Sequence, residues 1–140
     1  MAGIKRTEAD KAFSKCVRER AGWKCERCNQ QHAQNSMGLH ASHHHGRGKW
    51  GIRFNPMNAE ALCYGCHSLE GGTQRRREAV MTDAENALLI ERMDDVSLAK
   101  MYRKTKGVGA IAKHYRDELK RMTEVRALGI SDRLEFEEFY

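Results

Sequence analysis

Two Cys-x-x-Cys units, Cys25-Glu-Arg-Cys28 and Cys63-Tyr-Gly-Cys66, stand 34 residues apart and constrain this chain more than any other feature. Each unit can present two thiolates from one tight turn, and two such turns complete the tetrahedral shell of a single zinc ion. Few large apolar residues lie between them, so a bound Zn2+ would replace a missing core and couple metal binding to folding. A redox dithiol at either pair is the competing reading. The chain holds five cysteines, an odd number that, in a reducing compartment, favours metal ligation over disulfide pairing. The fifth, Cys16, falls on the apolar face of a predicted helix and is expected as a buried thiol.

A length of 140 residues sets the scale at one compact unit with helical extensions. Apolar runs such as Ala87-Leu88-Leu89-Ile90 are far too short for a bilayer span, so a soluble chain is expected. The stretch from Met1 to Arg6 has neither the apolar core nor the small-residue cleavage site of a secretory signal, which points to the cytoplasm. The net charge of +6 suits a polyanionic partner without identifying one.

Helical signals flank the cysteine region. Thr7 can cap a helix running to Ala21, with Ala9, Phe13, Cys16 and Val17 on one face and Gly22 placed to end it. From Cys25 to Cys66 the helical period disappears, and glycines and the single proline, Pro56, punctuate short loop and hairpin segments. A helix is expected to open near Asn58 or Leu62 and to run through His67 toward Gly71-Gly72. Further on, Thr82 and Glu85 have capping-box spacing, a short helix fits Ser97 to Lys104, and Ile111, Tyr115, Leu119, Met122 and Val125 form the stripe of a longer one ended by Gly129.

Six histidines, His32, His40, His43, His44, His45 and His67, lie inside or beside the cysteine loop. A four-sulfur zinc shell needs none of them, so their density points to a second centre in which imidazole acts as base and as ligand. Cleaving a phosphodiester calls for an activated water, a cation on the phosphate and leaving oxygen, and positive groups to hold the backbone.

The order His43-His44, Asn58, then Cys63-Tyr-Gly-Cys66-His67 resembles the HNH, or ββα-metal, nuclease motif. The resemblance implies an α+β fold with a small treble-clef-like ββα core, a four-cysteine structural zinc, an N-terminal helix and a C-terminal helical extension. It implies His43 as general base, Asn58 as the residue that orients it, and His67 as a ligand of a catalytic Mg2+, Mn2+ or other divalent ion. One departure stands out: the family usually carries Asp or His just before the base, and here Ser42 is in that position. Two registers stay open. Either His43 is the base and a neighbour or water completes the metal shell, or His43 binds the metal and His44 is the base. His40 and His45 are read as flanking groups that either register could recruit.

The wider string from Leu39-His-Ala-Ser-His-His through Arg53-Phe-Asn and Asn58 to Cys63 is similar to phage recombination nucleases of the NinG/Rap type. The helix around Ile111 to Lys120 extends that likeness. It implies an endodeoxyribonuclease of branched recombination DNA, such as Holliday junctions and D-loops, in the cytoplasm of a bacterial host. Arg47, Lys49 and Arg53 are the expected phosphate contacts near the base, with Arg75, Arg76 and Arg77 further along the backbone. Trp23 and Trp50 are expected to pack against the cysteine turns.

Three segments follow from these patterns: residues 1–74 as the nuclease core with its N-terminal helix, 75–130 as a helical extension packed on it, and 131–140 as an acidic, aromatic tail for which disorder is the default. A homodimer or a recombination-protein partner would suit junction cleavage. The alternative function is a non-catalytic zinc-stabilised module that binds DNA or protein, and a third is redox or metal buffering. The spacing of His43, Asn58 and His67 discriminates among them, because a binder has no use for it.

Overall fold

A computed structural model of the chain describes residues 5–70 and 81–139. Helix α1 (Glu8–Arg20) opens on a capping box. The Thr7 hydroxyl accepts from the Asp10 N–H at 3.3 Å, and the Asp10 carboxylate accepts from the Thr7 N–H at 2.7 Å. Its apolar face, Ala9, Phe13, Cys16 and Val17, is buried as the periodicity predicts. Gly22 then takes φ +65° and turns the chain toward the first cysteine pair.

That pair sits in a loop closed by an antiparallel bridge between Lys24 and Gln31. Strands β1 (Leu39–His43) and β2 (Ala59–Cys63) form an antiparallel hairpin with Leu39 opposite Cys63 and His43 opposite Ala59. The intervening loop carries two single 3-10 turns, Trp50–Ile52 and Pro56–Asn58. Helix α2 (Tyr64–Glu70) leaves β2 without a linker, which completes a β-β-α order. The sequence expectation of a helix opening near Asn58 or Leu62 is therefore corrected. Residues 59–63 are all buried and pair with β1, so their backbone groups are satisfied across the sheet and helix begins only at Tyr64.

After the undescribed segment, Thr82 and Glu85 form a second capping box, with bonds of 3.1 and 2.9 Å, at the head of α3 (Asp83–Met93). Asp95 caps α4 (Val96–Lys104), and α5 (Ala110–Ala127) follows Gly109. Gly107 joins the two ends of the fold. It adopts φ +70°, a Cβ there would fall 2.1 Å from the Thr7 hydroxyl, and its carbonyl accepts the Ala9 N–H at 2.8 Å.

One core gathers Phe13, Cys16 and Val17 of α1, Leu39 and Leu62 of the hairpin, Tyr102 of α4, Tyr115 and Met122 of α5, and Phe136 of the C-terminal segment. Described residues of all three segments thus contribute to one main core, and Ile52, Met81 and Leu89 form a second, smaller cluster. The tail is docked, contrary to the default for a terminus. Phe136 is buried against Phe13 and Tyr115, with the Arg20 guanidinium 5.2 Å from its ring, and the Tyr102 hydroxyl donates to the Phe139 carbonyl at 2.8 Å. Glu138 serves this docking by pairing with Arg92. The chain is α+β, and among the described residues no helix is long and apolar enough to cross a membrane.

Candidate functional site

The hairpin brings the two cysteine pairs together. The Glu26 N–H donates to the Ala61 carbonyl at 2.8 Å and the Ala61 N–H returns a bond to the Glu26 carboxylate at 2.7 Å, so the first cysteine turn is docked on β2. Cys25, Cys28, Cys63 and Cys66 then lie with their sulfurs all within 4.8 Å of one another, a set able to hold one metal ion such as zinc. The Cys28 and Cys63 sulfurs are 3.8 Å apart, matching the edge of about 3.8 Å that a tetrahedron with Zn–S near 2.3 Å requires. Burial raises the Cys25 thiol, yet backbone N–H groups of the two turns outweigh it and hold the group at about 7. Burial and the neighbouring thiols push Cys66 up to about 12. Four thiols this close cannot all ionise without a cation, and a divalent ion resolves that conflict.

Asn58 is fully buried at the foot of β2. Its Oδ1 accepts the His45 N–H at 2.9 Å, and its Nδ2 donates to the carbonyls of His45 and Ile52 at 3.0 and 3.1 Å. The Asn58 carbonyl also accepts the His44 N–H at 2.8 Å. These bonds clamp both ends of the 45–52 loop, next to Arg53.

His43, the last residue of β1, makes a 3.0 Å contact from Nε2 to the Arg53 carbonyl. A carbonyl only accepts, so Nε2 carries the proton and the lone pair is on Nδ1. The ring also meets Phe13, with centroids 5.8 Å apart. Burial above all, with the charge of Arg47 adding to it, holds the imidazole down to about 4, against the opposing pull of the Arg53 carbonyl and Asp10. At neutral pH the ring is uncharged and able to accept a proton.

His43 and Ser42 line a cavity of about 700 Å³ whose wall also includes His40 and His67. His67 projects from α2 so that its Nδ1 is 3.4 Å from Nδ1 of His40 on β1. The same wall carries Arg6, Lys15, Arg18 and Arg47. Asp10, the carboxylate among these lining residues, is held in a bidentate pair by Arg53, at 3.0 and 2.6 Å. Burial acts to raise the Asp10 carboxyl, but Arg53 and the Thr7 N–H hold it below the ordinary carboxylate range. The cavity is therefore imidazole-lined and net cationic, a setting for an anionic, phosphate-like ligand.

Several residues expected at this site lie elsewhere. Arg53 is 2 % exposed: besides Asp10 it donates to the Lys5 carbonyl and stacks 4.2 Å from the Trp50 ring, so it braces the fold instead of meeting phosphate. Trp50 accordingly packs on Arg53 and Phe54 and not on a cysteine turn. His44 is also 2 % exposed and lines a different cavity, with Arg20, Pro56 and Glu60, because alternation along the chain sends it away from His43. Lys49 is exposed and is absent from the walls of the His43 cavity. Arg75, Arg76 and Arg77 lie outside the described residues.

Other residues were not foreseen. Lys15 and Arg18 reach the cavity from α1, and the helical spacing of Lys11, Lys15 and Arg18 is the signal that would have found them. His40, expected as a flanking group, sits three residues before His43 and directly against His67, a proximity only the hairpin register creates. No protein-family model, no curated protein and no solved structure matches the chain.

Proposed function

We propose that the chain is a metal-dependent DNA endonuclease that hydrolyses phosphodiester bonds, with a structural zinc among Cys25, Cys28, Cys63 and Cys66. The observation that carries this reading is the uncharged His43, oriented through its Nε2 proton by the Arg53 carbonyl, in a cationic cavity that also holds His67. A tethered neutral imidazole with its lone pair on Nδ1 has the protonation state of a general base, and the negative charge of a bound phosphate would raise its proton affinity toward the working pH. Asn58 acts as a positioning residue, because the 45–52 loop it clamps leads directly into Arg53, whose carbonyl orients His43. Arg47, Lys15 and Arg18 hold the phosphate backbone. His67 is the ligand expected for a catalytic divalent ion, which would polarise the phosphoryl group and lower the pKa of bound water.

His43 is favoured over His44 as base because His44 faces the other cavity. The likeness of residues 39–63 to phage recombination nucleases supports branched DNA as substrate. Symmetric cleavage of a four-way junction would then need two copies of the chain or a partner protein.

The test is incubation of the zinc-loaded protein with supercoiled plasmid and with a synthetic four-way junction, in Mg2+ or Mn2+, beside His43→Ala. Nicking that disappears in the variant, while its zinc content and fold persist, supports the reading. Cleavage unchanged in His43→Ala refutes the base. DNA binding without cleavage in either metal leaves a zinc-stabilised binding module, the competing function. Junction cut no faster than duplex removes the branched-DNA specificity.

A further inference from the structure

We infer that Met37 and Tyr64 form a base-contacting lip on the His43 cavity, so that the chain binds DNA with an unstacked base beside the bound phosphate in preference to continuous duplex. That the polymer is DNA rests on the nuclease reading; the lip adds which conformation of it the site accepts.

Met37 is 91 % exposed and lines the same cavity as His43, and Tyr64, the first residue of α2, is 70 % exposed. Both are built against His40, another lining residue of that cavity. The His40 Nε2 donates to the Met37 carbonyl at 3.1 Å, and the Tyr64 ring stands nearly perpendicular to the His40 ring with centroids 6.2 Å apart. The backbone beneath them is pinned. The Tyr64 N–H donates to the Gly38 carbonyl at 3.2 Å, the Gly38 N–H to the Ser36 hydroxyl at 3.1 Å, and the Ser36 N–H to the Ala33 carbonyl at 3.0 Å. Two large side chains are thus held out in water by a fixed turn, at the edge of the cavity that contains the base.

Apolar surface at the edge of a cationic wall calls for a ligand that carries both an anion and an apolar face. Arg6, Lys15, Arg18 and Arg47 line the cavity, and its carboxylate, Asp10, is already paired with Arg53. A nucleotide meets both demands, its phosphate facing the cations and its base the lip. In continuous duplex the faces of the bases are covered by their neighbours, so the lip can reach only a base that is unpaired, mismatched or at the end of a stack. Tyr64 offers the ring on which such a base stacks, and Met37 an unbranched wedge of the kind inserted between base steps. Neither side chain reads hydrogen-bonding edges, so the preference is for unstacked DNA of any sequence.

The test is equilibrium binding of the full-length, zinc-loaded protein to a fluorescein-labelled single strand and to its duplex, read by anisotropy at one fixed salt concentration with no Mg2+ or Mn2+ added. The single strand is expected to bind more tightly. Tyr64→Ala is expected to weaken that binding about tenfold, the loss of one stacked base, and Met37→Ala to act in the same direction. Tyr64→Phe keeps the ring and should bind like the parent. Duplex affinity, carried by phosphate contacts, should be unchanged in all three variants. Zinc content is measured in each, because Tyr64 lies between Cys63 and Cys66; if Tyr64→Ala loses the ion, Met37→Ala decides alone, since Met37 lies off the cysteine turns. Duplex bound as tightly as the single strand, or equal losses on both DNAs, overturns the proposal. So does single-strand affinity unchanged in the alanine variants, which would leave the lip as a protein-docking surface. Single-strand binding that depends on the lip, without cleavage in either metal, refutes only the nuclease chemistry. Cleavage by a protein whose lip variants bind like the parent refutes only the lip, and binding to neither DNA refutes both.

Discussion

Replacing Asn58 by alanine tests whether one buried amide holds the loop that orients His43. The side chain makes three bonds, to the His45 N–H and to the carbonyls of His45 and Ile52. Alanine removes both His45 bonds at a position that is fully buried, while the Ile52 carbonyl still accepts the Asn55 N–H at 3.1 Å. Each lost partner at a buried group costs about 1–3 kcal/mol, and the two at His45 are only partly buried, so a total of about 2–4 kcal/mol is expected. That is a large share of the 5–15 kcal/mol or so that stabilises a typical domain. Unfolding entropy of about 2.1 cal/mol/K per residue over 140 residues is about 0.3 kcal/mol/K, so a loss of 3 kcal/mol lowers Tm by about 10 °C.

The assay is thermal denaturation followed by circular dichroism at fixed free zinc, since ligand concentration itself moves Tm. Asn58→Asp sharpens it. The carboxylate keeps an acceptor for the His45 N–H but sets a negative oxygen against two carbonyls, so this variant should be as unstable as alanine at pH 7. It should recover in part as acid protonates the group and restores one donor. A Tm for Asn58→Ala within about 2 °C of the parent, about 0.6 kcal/mol on the same scale, would refute the clamp. So would an Asn58→Asp protein as stable as the parent at neutral pH.

At saturating catalytic metal, so that protonation of its imidazole ligand does not limit occupancy, cleavage should be insensitive to pH through the ordinary histidine range of about 6.5 and fall only as pH drops toward the value of about 4 at which His43 takes a proton. The sign follows from the neutral ring being the active form: lowering the pKa extends activity to lower pH, and a midpoint near 6.5 in the pH–rate profile would contradict it. Arg53→Ala and Arg47→Ala should separate stability from binding. The first breaks a buried pair whose side chains are 2 % and 4 % exposed and should cost about 3–5 kcal/mol in denaturant unfolding. The second should leave stability near the parent value and reduce the salt dependence of DNA affinity by about one phosphate contact. Stripping the cysteine-bound ion with a chelator should release one zinc per chain and collapse the hairpin's docking on the first cysteine turn, read as lost circular dichroism; refilling should release protons, because thiols such as Cys66 are protonated without the ion.

Local signals were legible wherever a short stretch carries its own physics. The capping residues Thr7 and Thr82, the buried face of α1, the stripe of α5 and the glycines that end them follow from neighbours within a few positions. Cysteine spacing likewise announced a four-sulfur cluster, because two tight turns can meet only around a common point. The β2 segment Ala59–Cys63 reads as the start of a helix because five residues, four of them apolar, are too few to show a period that separates strand from helix; pairing with β1 decides it.

Charge at a given residue says nothing about what lies opposite it. Arg53 and Arg47 look alike in the sequence, yet one is fixed by Asp10, 43 positions away, and the other opens on the cavity. The meeting of His40 with His67 and the division of His43 and His44 between two cavities depend equally on contacts distant in the chain. Spacing and periodicity record what a segment can form by itself. Which side chains share a site is settled by register and burial, which exist only once the segments have been brought together.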